Sequence, residues 1–184
     1  MTDRIDEIQS LLAQAWKARG LGDYERAKEK VNAAHSLCKA SDQDLLGRVF
    51  HIYMQFEYDQ DEFEAALGLA RQSLSHYENS GGNPNQLAHT RRHMADLMLH
   101  LDRLESAEKE YLQVIQIYRS AANFHEMDLA NALRGYALLL EKKNRSKEAV
   151  IVWKEARGLY DKYKIAEGVQ EADQHLEKLS GLSQ

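Results

Sequence analysis

The chain has 184 residues, of which 43% are hydrophobic and 29% charged, and its formal net charge is -5 at pH 7. This length suits one ordinary domain or one short repeat array, and the hydrophobic fraction is too high for a disordered chain. The single cysteine excludes an internal disulfide framework. The negative charge argues against nucleic acid or an anionic membrane as the main partner.

The N-terminal stretch MTDRIDEIQSLLAQAWKARG has acidic residues near its start and no unbroken apolar run. It therefore matches neither a signal peptide nor a membrane span. We expect a cytoplasmic protein with no cofactor and no membrane partner.

Apolar residues recur every three or four positions along the whole chain, which predicts helices rather than strands. Loop-like segments predict where the helices break, in chain order at 20–23, 39–44, 59–62, 80–86, 101–105, 121–124 and 142–146. The only proline, Pro84, is expected to cap the helix that follows it. The breaks leave helices of about fifteen residues each, near the usual globular length.

A short phrase ending in alanine occurs four times, as DYERA at 23–27, EFEAA at 62–66, RLESA at 103–107 and RSKEA at 145–149. Its alanines are separated by 39, 41 and 42 residues, which is a repeat period. Each alanine lies early in a second helix, where a small side chain lets two helices approach closely. Small or apolar residues recur twelve positions before, four after and seven after each alanine: Ala15, Met54, Ala95, Ala137; Val31, Ala70, Tyr111, Trp153; Ala34, Ser73, Val114, Ala156.

These offsets resemble the tetratricopeptide repeat (TPR), and the long period resembles its kinesin-light-chain-like subtype. The resemblance covers roughly residues 5–163. It implies an all-α fold, a right-handed superhelical array of about four helix-turn-helix hairpins. We predict a single array over 1–184, with repeats at about 5–40, 43–79, 85–121 and 126–163 and a capping helix at about 165–180.

In the TPR family the first helix of each hairpin lines a concave groove that binds peptides or protein segments. The resemblance therefore implies a non-catalytic interaction scaffold. Helical spacing identifies the residues predicted to line that groove: Arg48, His51, Gln55, Tyr58, His89, Arg92, His93, Asp96, His100, Asn131, Arg134 and Leu138. Leu12, Leu99 and Leu138 are expected to fill apolar pockets, and Trp16 lies on the same predicted face.

Basic residues outnumber acidic ones on the predicted groove face of the last three repeats, with Arg48, Arg92, Arg134 and Lys142 against three acids. Because the rest of the chain is acidic, this face would attract anions, and arginine can hold a carboxylate through two parallel hydrogen bonds. We predict that it binds an acidic or C-terminal peptide segment of a partner protein. The alternative is that the arginines form salt bridges between adjacent helices.

The chain departs from the kinesin-light-chain-like pattern at the paired asparagines of the first helix, which hold a ligand's backbone in that subtype. Arg92 with His93, and Arg134 with Gly135, occupy the matching positions. The sequence therefore does not predict clamping of a peptide backbone by asparagine.

Four polar residues, His89, His93, Asp96 and His100, fall on one face of one predicted helix. Histidines four residues apart can share a zinc ion, with His51 from a neighbouring helix as a third ligand. The stripe is about 16 Å long, so one ion could use only two of its members. We predict no metal, and keep a metal- or small-molecule-sensing role for this stripe as one alternative function and self-association of the array as another.

Overall fold

The computed structural model describes residues 3–120 and 125–181, and the break predicted at 121–124 lies outside them. Over these residues nine helices follow one another: α1 (Arg4–Gly20), α2 (Tyr24–Leu37), α3 (Gln43–Asp59), α4 (Phe63–Asn79), α5 (Pro84–His100), α6 (Leu104–Ser120), α7 (Glu126–Lys142), α8 (Ser146–Lys162) and α9 (Ala166–Gly181). The same residues contain no strand, so the all-α prediction is confirmed. None of the described helices has both the length and the apolar character that a bilayer-spanning segment requires.

The repeated small and apolar positions are the packing positions of the fold. Every one of them has 0% exposure: Ala15, Met54, Ala95, Ala137; Ala27, Ala66, Ala107, Ala149; Val31, Ala70, Tyr111, Trp153; Ala34, Ser73, Val114, Ala156. Because small side chains recur at the same register, the second helix of each hairpin can lie close to the first.

The turn inside each hairpin also repeats. A residue with positive φ lies five positions before each repeated alanine: Gly22, Asp61, Asp102 and Asn144. The next N–H donates back across the helix end at 2.8 to 3.0 Å, in the pairs Asp23 to Ala18, Glu62 to Glu57, Arg103 to Met98 and Arg145 to Leu140. This is the Schellman arrangement, and glycine, aspartate and asparagine are the residues that best tolerate its left-handed position.

The chain forms two compact units, Met1–Thr90 and Arg91–Gln184, and the boundary between them falls within α5. The prediction of a single array over 1–184 therefore remains a prediction.

Unit 1, Met1–Thr90, has its own apolar core, which includes Ile8, Leu12, Ala15, Val49 and Phe56. Leu12 has 0% exposure, so the prediction that it fills a pocket of the groove is wrong. The reason is helical register, since Ile8, Leu12 and Ala15 lie on one face of α1 and that face is buried.

Unit 2, Arg91–Gln184, is built from the end of α5 and from α6 to α9. Its largest fully buried side chains include Trp153, Tyr111 and Leu133. α9 buries Ala172 and Leu179, so the last described helix is packed rather than free.

Candidate functional site

Three aromatic rings lie next to one another on the face of unit 1 formed by the first helices of its hairpins. The ring centroids of Trp16 on α1 and His51 on α3 are 6.0 Å apart, and those of His51 and His89 on α5 are 5.3 Å apart. We call Trp16, His51 and His89 the ring cluster. Trp16 is 39% exposed and His51 only 8%. The cluster thus presents the indole to solvent and covers the first imidazole.

Arg19, beside the ring cluster, is already paired. Its guanidinium donates to the two carboxylate oxygens of Asp59 at 2.7 and 2.6 Å and to Oε1 of Gln55 at 3.1 Å. The guanidinium carbon also lies 5.3 Å from the centroid of the Trp16 ring, within range of a cation–π interaction. Gln55 is only 8% exposed, so this predicted groove residue offers little surface to a ligand.

Arg48 lies on α3, one helical turn before His51 and on the same face. Its side chain is half-buried, and it makes no hydrogen bond or ion pair with the described residues. Tyr58, two turns beyond His51, packs edge-on against Phe63 with 5.7 Å between ring centroids. Among the described residues nothing neutralises the charge of Arg48, so this predicted groove arginine can bind an anionic ligand.

Within unit 2, the end of α5 carries a set of polar residues that hydrogen-bond to one another. Arg92 donates from Nη1 to Oδ2 of Asp96 at 2.8 Å, and its Nη2 lies 3.0 Å from Nε2 of His93. The hydroxyl of Tyr111 on α6 donates to Oδ1 of Asp96 at 2.6 Å. Burial, together with the nearby Asp96 carboxylate, raises the pKa of Tyr111 well above its usual value. Asp96 therefore accepts from two internal donors. His100, the last residue of α5, is exposed.

The groove residues predicted on α7 bind neighbouring helices of unit 2. Arg134 donates from Nε and Nη2 to the two carboxylate oxygens of Glu171 on α9, each at 2.6 Å, and this pairing raises the pKa of Arg134. Oδ1 of Asn131 accepts from the hydroxyl of Tyr160 on α8 at 3.0 Å. Both side chains thus hold helices together.

Leu138, also predicted in the groove, lines a cleft of about 460 Å³ between α7 and α9 in unit 2. Glu141 and His175 form part of its wall. Glu141 accepts from Nε1 of Trp153 at 2.7 Å and lies 2.7 Å from Nδ1 of His175. The cleft therefore combines an apolar side chain with polar groups that already have partners.

The sequence analysis did not identify that α9 supplies partners for residues of α7, with Glu171 accepting from Arg134 and His175 lying beside Glu141. Two glycines show why α9 resembles the first helix of a further hairpin. A Cβ added at Gly135 would lie 2.5 Å from Oη of Tyr111, and one added at Gly168 would lie 2.5 Å from Cγ of Tyr160. In each case a first helix approaches a tyrosine of the preceding second helix, and this recurrence of glycine and tyrosine was a readable signal.

No protein-family model and no curated protein matches the sequence. Solved structures do resemble it. Aspartyl phosphate phosphatase F from Bacillus subtilis superposes with a TM-score of 0.76 at 16% identity, covering 98% of this chain and 48% of that one. The chain thus spans about half the length of that protein.

Two further structures extend the comparison. A putative kinesin light chain with TPR-like repeats from Podosopora anserina has a TM-score of 0.67 at 13% identity, covering 96% of this chain and 94% of that one. The TPR2AB domain of yeast Sti1, solved as a complex with pHSP90, has a TM-score of 0.50 at 12% identity, with coverages of 94% and 98%. At these identities the likeness shows the fold, and the predicted TPR-like repeat fold is confirmed.

Proposed function

We propose that the chain is a non-catalytic, cytoplasmic binding protein that holds an acidic or C-terminal segment of a partner protein on the first-helix face of unit 1. The observation that carries the proposal is that Arg48, one helical turn from His51 of the ring cluster, has no ion-pair partner among the described residues. A partner's carboxylate would give it the charge-assisted hydrogen bonds that the chain itself does not supply.

The exposed ring of Trp16 also supports this face of unit 1 as the binding surface. Its indole is 39% exposed and lies beside His51, so an apolar side chain of the partner can cover it while a carboxylate reaches Arg48. Aromatic and arginine side chains at one place are the usual anchors of protein interfaces. The solved complex of Sti1 with pHSP90 gives the same fold in a protein-binding role.

Arg92 and Arg134 take a different part in this proposal. Each already binds a carboxylate of its own unit, Asp96 and Glu171 respectively. A ligand would have to displace that carboxylate and would gain little net free energy by doing so. We therefore assign the anion-binding role to Arg48 and a helix-joining role to the other two.

An array of random twelve-residue peptides, printed with free and with amidated C-termini, tests the proposal. We expect the wild-type chain to select peptides that have acidic residues or a free C-terminus. Arg48→Glu should weaken the binding of the selected peptides by roughly tenfold or more, because it replaces a charge-assisted hydrogen bond with charge repulsion. Trp16→Ala should weaken the binding of these peptides without changing the preference for acidic residues.

Arg71→Glu is the matched control, because Arg71 is exposed on α4, a second helix of the same unit, and the charge change is identical. Equal losses for Arg48→Glu and Arg71→Glu would show only a general effect of net charge. That result, or no selection by the wild-type chain, contradicts the proposal.

A further inference from the structure

The guanidinium of Arg19 on α1 keeps one nitrogen that the chain itself does not use. Nε and Nη2 donate to the carboxylate of Asp59 at 2.7 and 2.6 Å, and Nη2 donates again to Oε1 of Gln55 at 3.1 Å. No described residue accepts a hydrogen bond from Nη1, and this nitrogen is not buried. Nη1 is therefore a donor that is held in place and still open to a ligand.

This nitrogen belongs to the face on which Arg48 and the ring cluster lie. The guanidinium carbon of Arg19 is 5.3 Å from the centroid of the Trp16 ring, which is 39% exposed. Asp59 and Gln55 fix the guanidinium from α3, the helix that also carries Arg48. All of these residues lie in unit 1. A ligand that covers the indole of Trp16 thus comes within reach of Arg19.

Asp59 offsets the charge that Arg19 presents. The side chains of Arg19 and Asp59 are 22% and 17% exposed, so the pair is partly shielded from water and its charges act more strongly than in bulk solvent. A carboxylate at Nη1 would be attracted by the guanidinium and repelled by the Asp59 carboxylate on the other edge of the same group.

Building on the function proposed above, we propose that Arg19 is a second anion-binding residue of this face and that Asp59 lowers its affinity for an acidic ligand. Asp59 thereby has two effects. It holds the guanidinium flat beside Trp16, and it cancels most of the attraction that a single acidic group would feel there. Arg48 then remains the stronger anchor.

The distance between the two arginines along α3 sets the class of ligand. Arg48 precedes Gln55 and Asp59 by seven and eleven residues, which is about 10 to 16 Å at 1.5 Å per residue. An extended peptide covers that distance with about three to five residues. The favoured segment therefore carries two acidic groups about three to five residues apart, with an apolar residue between them over the indole of Trp16.

Fluorescence anisotropy with two labelled hexapeptides tests the proposal. Both are amidated at the C-terminus and carry leucine near the centre; one has glutamate at both ends, and the other has glutamine in place of the last glutamate. Asp59→Asn should strengthen the binding of the two-glutamate peptide by about three- to tenfold, because the charge of Arg19 is no longer cancelled. The one-glutamate peptide should gain less, and added salt should reduce both gains.

Two further variants show whether the gain acts through Arg19. Adding Arg19→Gln to Asp59→Asn should return the affinity to the wild-type value or below it. Asp61→Asn is the matched control, because Asp61 is exposed two residues beyond Asp59 and the charge change is identical. It should change the binding less than Asp59→Asn does. Circular dichroism reports that each variant is folded.

A gain of affinity distinguishes this role from a structural one, since a variant that merely loosens the fold binds less tightly. Unchanged or weaker binding by Asp59→Asn would overturn the inference about Asp59, and so would an equal gain in Asp61→Asn. The proposed function would survive both results, because it depends on the loss caused by Arg48→Glu. If Arg48→Glu also left binding unchanged, both proposals would fail.

Discussion

Arg134 on α7 donates two hydrogen bonds of 2.6 Å each to the carboxylate of Glu171 on α9. The two residues are 37 positions apart in the sequence, and they join successive first-helix positions of unit 2. An arginine predicted to bind a partner's carboxylate is thus occupied by a carboxylate of its own chain. Its first role is to hold α9.

Removal of that carboxylate tests this role. The Arg134 and Glu171 side chains are 43% and 29% exposed, so water screens the pair and it should stabilise α9 by only about 0.2–1 kcal/mol. In Glu171→Ala, we expect amide hydrogen exchange in α9 to accelerate by up to about fivefold. Glu177→Ala, at an exposed position of the same helix, is the control. Equal exchange in the two variants would show that the pair contributes nothing.

The same pair affects the design of binding experiments. Arg134→Glu would place a second carboxylate against Glu171 and repel it, so α9 would loosen whether or not a ligand binds there. A loss of binding in such a variant would not identify a contact. Arg48, which has no ion-pair partner among the described residues, is free of this difficulty.

Most of the fold was predictable from the sequence because it depends on local pattern. Helical periodicity indicates where helices lie, and the recurrence of Ala27, Ala66, Ala107 and Ala149 fixes the register of the hairpins. The turn residues Gly22, Asp61, Asp102 and Asn144 carry the same period. Such signals require no knowledge of distant contacts.

The candidate site was less predictable because its residues depend on long-range pairing. Helical spacing shows that His51 and Gln55 share a face, but not that rings of α1 and α5 lie against His51. It likewise identifies Arg19 as a surface cation without revealing Asp59, 40 residues away, as its partner. Which arginine is left unpaired is a property of the packed chain alone.

Gly135 stands at a position where the kinesin-light-chain-like subtype has asparagine, and the structure predicts why a larger residue is unfavourable here. A Cβ there would lie 2.5 Å from Oη and 2.7 Å from Cε1 of Tyr111. Tyr111 has 0% exposure and is hydrogen-bonded to Asp96, so its ring cannot move aside. We expect Gly135→Ala to lower the free energy of unfolding by about 1–3 kcal/mol, and Gly135→Asn to lower it further.

Gly158→Ala is the matched control for that substitution. Gly158 lies within α8, and nothing lies within 4 Å of a Cβ added there. Replacing it should raise the free energy of unfolding by up to about 1 kcal/mol, because alanine favours a helix interior. Urea unfolding followed by circular dichroism measures both. If both changes were stabilising, the close contact with Tyr111 would have no energetic consequence.

The lowered pKa of Asp42 allows a prediction of how the stability of unit 1 depends on pH. The hydrogen bond from Arg4, followed by one from the backbone N–H of Lys39, lowers the pKa of Asp42 from 3.8 to about 2. A lowered pKa in the folded state means that the ionised carboxylate stabilises the fold. This contribution is complete above the ordinary pKa near 3.8 and is lost as the pH falls towards 2.

Asp42→Asn should therefore be less stable than the wild-type chain at neutral pH, with the difference disappearing as the pH falls from about 4 to about 2. Urea midpoints measured across this range give the difference. Asp6→Asn, at an exposed position in the first turn of α1, should show no such convergence. A difference that stays constant down to the lowest pH would contradict the assignment of the lowered pKa to Asp42.

Lys164, in the turn between α8 and α9, provides the last prediction. It has φ of 57°, a left-handed conformation that costs a lysine about 1–2 kcal/mol relative to glycine. The turn is held by the N–H of Ile165, which donates to the carbonyl of Tyr160 at 2.9 Å. This bond joins two backbone groups and does not involve the side chain of Lys164.

Lys164→Gly should raise the free energy of unfolding by about 0.5–1 kcal/mol, since the greater freedom of glycine in the unfolded chain offsets part of the relief. Lys154→Gly, an identical replacement at an exposed position in the interior of α8, should lower it by about 1 kcal/mol. The opposite signs distinguish relief of backbone strain from a general effect of removing a lysine. Destabilisation by both replacements would mean that the side chain of Lys164 stabilises the turn more than its backbone strains it.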